Sequence, residues 1–515
     1  MVSGKGQMRT IDGIPFLRLF GSYFEMGEQY GSLLKGLLAE GRKYLSSRQW
    51  ERVKRKKDLL AALEKQLSPK DAQYLEGMAA GSGLDYLELV FDAYGGAIAF
   101  PWLGCTSILT TVENAEGKRI LAHGKNLDNS LQTGRGQAVI EFNPDGEIKY
   151  VVLEVVGSGI ADGMNERGIS VSIDDGGQGL KGDYPQHRPI TFLMRDILSS
   201  ASSLAEVDRR IEGYVSDVGE ILAVGSGTEG DGAVYDISYD KIKKNPRQGS
   251  RGLFVTNTFL SPDLTPPMDL LQDPRYAILT LSMGAVRTID DLIRVMSDPG
   301  EDYGVNNMRT KHSIIYDLED KSIYLACGDR YAAWGEWLRY DWLSDRVAAV
   351  RDPYGVSGPP RLIETSAQRV VSIRSTLPSY DAQPQLWSEL DSYIEKESLT
   401  VSGSGFSVHP GHKGGGFDVE VVQPIAESRS ASRDGPGRVR FGTSKPTAMV
   451  CVDQRGPYAT LRMAYAAIDM WLASNGYRAN GPYEECYVKG DWNDPDPKDW
   501  ETQVRVPVIK KLFWR

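Results

Sequence analysis

Gly104-Cys105-Thr106-Ser107-Ile108-Leu109-Thr110-Thr111-Val112, with Arg119-Ile120-Leu121-Ala122-His123-Gly124-Lys125-Asn126-Leu127-Asp128 after it, is where the chain changes character. Residues 24 to about 98 read as helical, and Ser68-Pro69 marks a helix start because serine can cap and proline fits the first turn. From Cys105 onward short β-type runs alternate with turns. The two runs quoted flank Asn114-Ala115-Glu116-Gly117, a hairpin signal. A hairpin of this length brings Asp128 back to the start of the first strand, beside Cys105.

The same pattern continues outward. Ala138 to Phe142 and Lys149 to Val156 flank Asn143-Pro144-Asp145-Gly146, and Gly159 to Gly163 and Ile169 to Ile173 flank Asn165-Glu166-Arg167-Gly168. Helical stretches are expected at Pro189 to Tyr214 and Pro274 to Met296, and another hairpin at Ser313 to Ala326. Helices together with grouped antiparallel hairpins predict an α+β layered domain. Asp352 to Ser366, rich in proline and glycine, reads as a linker. Beyond it the chain repeats itself. Trp387 to Ile394 aligns with Tyr465 to Leu472, Val370 to Ile373 with Ala448 to Val452, and Phe417 to Ile425 with Trp500 to Val508. Two such halves predict a pseudo-two-fold domain with a ligand cleft between them.

Composition narrows the function. The chain has 515 residues and a net charge of -10, which disfavours a nucleic-acid partner. Hydrophobic content of 41% and charged content of 25% are ordinary for a globular protein. The basic run Lys54 to Lys57 reads as a solvated helix face. Met1 to Thr10 lacks a signal-peptide apolar core and no run is long enough to span a membrane, so the expectation is a cytoplasmic protein with no membrane partner. Cys105, Cys327, Cys451 and Cys486 form no disulfide framework, and His409 and His412 have no evident third ligand, so no metal or other cofactor is expected. Gly225-Ser226-Gly227-Thr228-Glu229-Gly230 fits a dinucleotide pattern, but a strand follows where a helix is needed, so it reads as a hairpin loop.

Taken alone, Gly104-Cys105-Thr106-Ser107 suits a buried structural cysteine. Its surroundings support more. A cysteine nucleophile needs a base, and no histidine is a convincing one; His123 reads as a packed strand residue. A cut between Gly104 and Cys105 would supply that base, because an α-amino group titrates at roughly 7.7 to 8.0. Glycine before the cysteine lets the backbone bend for thiol attack on the Gly104 carbonyl.

These residues resemble the isopenicillin-N acyltransferase family of N-terminal nucleophile hydrolases over about residues 15 to 330. The resemblance is carried by Gly21-Ser22-Tyr23-Phe24-Glu25-Met26-Gly27 with Gly31, by Gly104-Cys105-Thr106-Ser107 with Asn126-Leu127-Asp128, and by Val255-Thr256-Asn257-Thr258-Phe259. It implies an αββα sandwich and a precursor that cuts itself before the cysteine, then hydrolyses or transfers acyl groups at amide bonds through a thioester. Cys105 would be nucleophile and, through its freed amine, base; Asp128 would orient that amine, and Asn257 would donate to the oxyanion. Lys125, Ser107 and Arg309 are candidates for substrate binding. Lys125 stands where many relatives have arginine and Thr258 where many have histidine, which bears on the substrate. The implied domains are 1–104 as the segment released by the cut, 105–351 as the hydrolase core, 352–366 as linker and 367–515 as a second domain.

Residues from about 367 to 510 resemble the GyrI-like small-molecule-binding domains. The marks are Gly456-Pro457-Tyr458, Trp471-Leu472, Gly481-Pro482, Glu485-Cys486-Tyr487 and Val506-Pro507-Val508. The resemblance implies an organic, often cationic ligand between the halves, with Glu485 directed into the cleft and Tyr487 and Trp471 as aromatic walls. Gln503 stands where glutamate is common. Two other readings remain at this level: a ligand-binding sensor with a silent Cys105, or a hydrolase acting through Glu485 and Tyr487.

Overall fold

A computed structural model describes residues 6–43, 57–94, 104–129, 136–249, 252–264, 270–300, 303–328, 331–350, 355–379, 382–413, 416–426 and 437–511. Lys54 to Lys56 of the basic run, and residues 352–354 of the expected linker, lie outside that set. The chain divides into two compact units, Met1–Arg351 and Asp352–Arg515.

The first unit opens with β1 (Gln7–Ile11) and β2 (Ile14–Gly21), followed by α1 (Tyr23–Leu33), α2 (Lys35–Lys43), α3 (Lys57–Glu64), α4 (Pro69–Ser82) and α5 (Tyr86–Ala93). Next come β3 (Cys105–Glu113), β4 (Arg119–Asp128), β5 (Gln137–Pro144), β6 (Tyr150–Val155), β7 (Asp162–Asn165), β8 (Ile169–Asp175), α6 (Ile190–Ser200) and α7 (Leu204–Ile211). The unit continues through β9 (Gly219–Ser226), β10 (Asp231–Ser238), β11 (Lys241–Pro246), β12 (Leu253–Val255), α8 (Pro274–Ser282) and α9 (Ile289–Met296). It closes with β13 (Thr310–Asp317), β14 (Ser322–Cys327), β15 (Trp337–Asp341) and β16 (Arg346–Val350).

The strands form a nine-stranded sheet, β1-β2-β5-β6-β7-β8-β9-β10-β11, and a seven-stranded sheet, β12-β3-β4-β13-β14-β15-β16. Strand alternation puts successive side chains on opposite faces, and three apolar layers follow from it. Leu121, Val151, Leu153, Ile314 and Leu325 meet between the sheets. Ile140, Val152 and Leu222 turn instead to the layer containing α1, α4 and α6, while Ile108, Ile120 and Ile315 pack against α8 and α9.

Local signals explain the helices. Ser22 caps α1 and Ser68 caps α4, each in a capping box, with Glu25 and Asp71 respectively. Gly27 has a packing reason: a Cβ there would stand 2.1 Å from the Tyr74 carbonyl oxygen, so α1 and α4 can cross this closely only without one. The N-terminal motif Gly21 to Gly31 is therefore a cap and a helix crossing. The stretches expected as single helices each break in two, because Ser203 and Thr288 cap a second helix inside them. Gly225 to Gly230 lies across the β9–β10 hairpin.

The second unit contains β17 (Gly355–Thr365), β18 (Arg369–Leu377), α10 (Gln383–Lys396), β19 (Phe406–Lys413), β20 (Gly416–Pro424) and β21 (Val439–Thr443). It ends with β22 (Thr447–Arg455), α11 (Arg462–Asn475), β23 (Tyr477–Ala479), β24 (Tyr483–Lys489) and β25 (Glu501–Lys510). The sheet order is β17-β22-β25-β24-β19-β20-β18-β21, with β23 on β25. The order β22-β25-β24 is thus the mirror of β19-β20-β18, and the two halves join where Ser407 of β19 faces Glu485 of β24.

One expectation is corrected here. Residues 355–365 are not a linker but strand β17, paired with β22. The strand sits at a sheet edge, and Pro359 and Pro360 fall in the register break between Ser357 and Arg361, where no ladder donor is required. Among the described residues no helix is long and apolar enough to cross a membrane.

Candidate active site

β3 and β4 run in register from Cys105↔Leu127 to Glu113↔Arg119. Alternation sends His123 and Lys125 toward the nine-stranded sheet and Asn126 and Asp128 to the opposite face. His123 contacts Ser170 and Ser172 at 2.7 and 2.8 Å, and burial holds its imidazole down to about 3, so it stays neutral as a packed strand residue. Asn126 donates to the carbonyls of Met296 and Val305.

The peptide joining Gly104 to Cys105 is held from both sides. The Asp128 backbone N–H donates to the Gly104 carbonyl at 2.9 Å, and the Cys105 N–H donates to Asn257 Oδ1 at 2.9 Å. A Cβ at 104 would stand 2.7 Å from Tyr303 Oη and 3.0 Å from Asp128 Oδ2, so any larger residue there would push these side chains aside. Cys105 is 2% exposed, and burial pushes its thiol up to about 12 despite the opposing pull of Lys125. A thiol in this condition is protonated near neutral pH and depends on a nearby base.

Asp128 accepts from Asn307 Nδ2 at 2.6 Å and from Thr310 Oγ1 at 2.7 Å. Burial lifts its carboxyl to about 6, against the pull of Arg275 and those two donors. Asn257 donates Nδ2 to the Asp175 carbonyl at 2.9 Å, so its amide group is engaged at both ends.

Arg275 completes the cluster, and the sequence reading did not include it. Its Nη1 donates to the Cys105 carbonyl at 2.9 Å and lies 3.7 Å from Asp128, and its Nη2 donates to Asn257 Oδ1 at 2.8 Å. Asp273, the N-cap of α8, fixes the guanidinium through Nε and Nη2. A signal for it existed: a cation in the first turn of a helix opposes the helix dipole unless a specific partner holds it. Asn307 and Thr310 were missed as well, since neutral polar residues near a strand start carry no sequence signature.

The remaining candidates divide. Lys125 is fully buried and donates to the Ile173 carbonyl and, at 3.0 Å, to Asp174. Ser107 donates to the other Asp174 oxygen at 2.5 Å. Arg309 is half-buried, and its backbone N–H donates to Asn307 Oδ1. A cavity of about 170 Å³ opens on Cys105 and is lined further by Leu127, Asp174, Asp175, Tyr214 and Glu220. Lys125, Ser107 and Arg309 are not in its wall; the first two reach it only through Asp174.

In the second unit Glu485 accepts from Tyr465 at 2.6 Å and from Tyr487 at 2.7 Å, and His409 Nε2 lies 3.4 Å away. Burial would raise its carboxyl, but His409 and the two tyrosines outweigh burial and hold it below its ordinary value. The Tyr487 ring meets Trp387, Tyr458 and Trp492 at centroid distances of 5.9, 5.5 and 6.3 Å. Trp471 lies elsewhere, its ring tilted 38° against Tyr477 at a centroid distance of 5.3 Å in the apolar layer under α11. Gln503 donates to Asp453.

A family model for the GyrI-like small molecule binding domain matches residues 358–509, a span that includes most of β17. Comparison with curated proteins found no match. Among solved structures, EcmrR in a DNA complex is 26% identical over 30% of this chain and 57% of its own, with a TM-score of 0.27. The chain thus spans little more than half of EcmrR. A Caenorhabditis elegans N-acylethanolamine-hydrolyzing acid amidase ortholog is 20% identical over 42% of this chain and 93% of its own, with a TM-score of 0.33. Penicillin V acylase from Agrobacterium tumefaciens is 16% identical over 46% of this chain and 91% of its own, also with a TM-score of 0.33.

Proposed function

We propose that the first unit is a self-processing cysteine amidase or acyltransferase with an N-terminal nucleophile sandwich, acting on the acyl-amide bond of a small molecule. The observation that carries this reading is the two-sided hold on the Gly104–Cys105 peptide, from the Asp128 backbone and the Asn257 side chain. In processing, Cys105 Sγ attacks the Gly104 carbonyl carbon and the peptide C–N bond breaks, leaving a thioester and a free Cys105 amine. Water then releases the Gly104 carboxylate. In turnover the amine takes the thiol proton, the thiolate attacks the substrate acyl carbon, and the leaving amine departs with a proton. Water or a second acceptor removes the acyl group from sulfur.

Asp128 lies beside Gly104, and in this reading it orients the new amine. Asn257 and Arg275 hold the Cys105 backbone. For Asn257 to donate to an oxyanion, its Nδ2 must leave the Asp175 carbonyl. The test is the intact mass of freshly purified protein. Fragments 1–104 and 105–515 that stay associated are expected; a single 515-residue mass would return the chain to a binding protein with a silent Cys105.

The second unit is proposed to bind a flat cationic organic molecule at the Glu485 cluster. An ionised carboxylate beside Tyr487, Trp387 and Tyr458 offers both charge and aromatic faces, and Trp492 is 57% exposed at the cluster's edge. Thermal unfolding of the full chain with cationic and anionic dyes checks this. Cations are expected to raise the second unit's midpoint, and Glu485→Gln to abolish the rise. Equal stabilisation of both proteins removes Glu485 from the site.

A further inference from the structure

The internal repeat of the second unit brings unlike residues together where its halves meet. At the offset that matches the two repeated helices, Ser407 corresponds to Glu485 and His409 to Tyr487. Ser407 and Glu485 also stand directly opposite one another on β19 and β24. The four side chains close a ring. Tyr487 Oη donates to Glu485 Oε2 at 2.7 Å, and Ser407 Oγ lies 2.8 Å from Tyr487 Oη and 2.6 Å from His409 Nε2. His409 Nε2 in turn lies 3.4 Å from the same Glu485 oxygen. Tyr487 spends its one proton on Glu485, so Ser407 donates to Tyr487 and accepts from His409. His409 Nε2 therefore carries a hydrogen within reach of both Ser407 and Glu485. The ring keeps these bonds whether the imidazole is neutral or carries a second proton on Nδ1.

The other titratable groups near His409 are engaged or lie on the other strand face. Tyr483, across from His409 on β24, donates to Asp469 of α11. Tyr465 of α11 donates to Glu485 Oε1 at 2.6 Å, and Gln383 of α10 donates to Tyr487 at 2.8 Å. Val408 takes the opposite strand face, where Glu484 is paired with Arg505 at 2.7 Å and Glu420 stands across on β20. Asp418 of β20 is held by Arg374 at 2.5 Å, and Asp491 lies beside the Tyr458 hydroxyl. Burial raises the Glu485 carboxyl, but a protonated His409, with Tyr465 and Tyr487, holds it below its ordinary value. The side chains of His409 and Glu485 are only 7% and 13% exposed, so solvent screens their charges weakly. A ligand cation arriving at Glu485 would meet the charge on His409 at close range, and buried like charges repel.

We infer that cation binding in the second unit is an exchange, in which the ligand's positive charge displaces a proton from His409. This rests on the cation reading of the second unit given above and adds the residue that sets its affinity. The coupling is reciprocal: the cation expels the proton, and the proton expels the cation. Affinity for cations should rise with pH, by about tenfold per pH unit at most for one exchanged proton, and level off once His409 is neutral.

The full chain is titrated by fluorescence with ethidium, whose charge is permanent, between about pH 6 and about pH 8.5. Binding is expected to be about 10-fold or more tighter at the upper end. Calorimetry in two buffers of different ionisation heat should show protons released on binding. Glu485 cannot supply them, because its carboxyl is held below its ordinary value and is already ionised in this range. His409→Gln keeps a donor for Ser407 and loses the charge. It should bind ethidium more tightly than the unsubstituted protein at the lower end and equally at the upper end. Should His409→Gln fail to fold, proton release by the unsubstituted protein decides. Affinity equal at both ends, or binding without proton release, overturns the exchange and leaves the cation reading standing. The same pH dependence in His409→Gln as in the unsubstituted protein assigns the proton to another group and overturns it as well. No binding of ethidium at any pH by either protein counts against the cation reading itself, and the exchange falls with it.

Discussion

Cys105→Ala should remain one uncut chain and lose acyl-amide turnover by on the order of 10⁴-fold or more, the scale seen when a covalent nucleophile is removed. The size of the effect follows from the geometry. The Cys105 nitrogen and carbonyl are both fixed, by Asn257 and Arg275, and among the hydrogen bonds described around Cys105 no other thiol or hydroxyl takes part. Because burial keeps the thiol near 12, its reactivity should depend on the amine created by the cut. An alkylating agent should label Cys105 in the processed protein and far more slowly in any uncut fraction. Peptide mapping is needed for the readout, since Cys327 and Cys486 are half-exposed. Turnover that persists after complete labelling of Cys105 eliminates the thioester mechanism.

Asp128→Asn should slow processing or turnover by about 10²-fold or more, within the usual contribution of a positioned acid–base group. Asparagine keeps the shape but sets an NH₂ against Asn307 Nδ2 or Thr310 Oγ1, both donors. It also removes the negative charge 3.7 Å from Arg275. The unsubstituted protein should show the same dependence in its pH profile, with activity falling as pH drops through about 6, where Asp128 takes up a proton. Stability moves the other way for this group. Its folded pKa lies above the ordinary carboxyl value of 3.8, so between about 6 and that value the folded state binds the extra proton and gains from acidification. Activity lost near pH 6 without a fall in unfolding midpoint is the expected signature. An acid limb unchanged in Asp128→Asn would assign that limb to another group.

Much of the site was legible because its central hairpin is local. The turn at Asn114 to Gly117 and the two-residue alternation on either side set the register that brings Asp128 to Gly104. The same alternation puts His123 and Lys125 on one face and Asp128 on the other. It could not say what those faces meet. Lys125 was read as a substrate contact, whereas the structure spends it on Asp174, a partner on a strand of the other sheet. The resemblance to GyrI-like domains implies Trp471 as a wall of the ligand cleft; in the structure it packs on Tyr477 instead.

By itself, the sequence determined the hairpin at Cys105, the helix caps at Ser22 and Ser68, and the internal repeat that yields a sheet symmetric about β24 and β19. Each depends on short-range periodicity, capping chemistry or self-similarity, which a single chain displays directly. Only the tertiary structure decided the company Cys105 keeps. Asn257 lies 152 positions away and Arg275 170, and both arrive at the end of β3 through the pairing of β12 with β3 and the packing of α8 on that sheet. The facing carboxylates Asp175 and Glu220 likewise come from β8 and β9, whose opposition depends on strand order. Which strand ends converge is set by the burial of whole faces, and no local spacing along the chain records it.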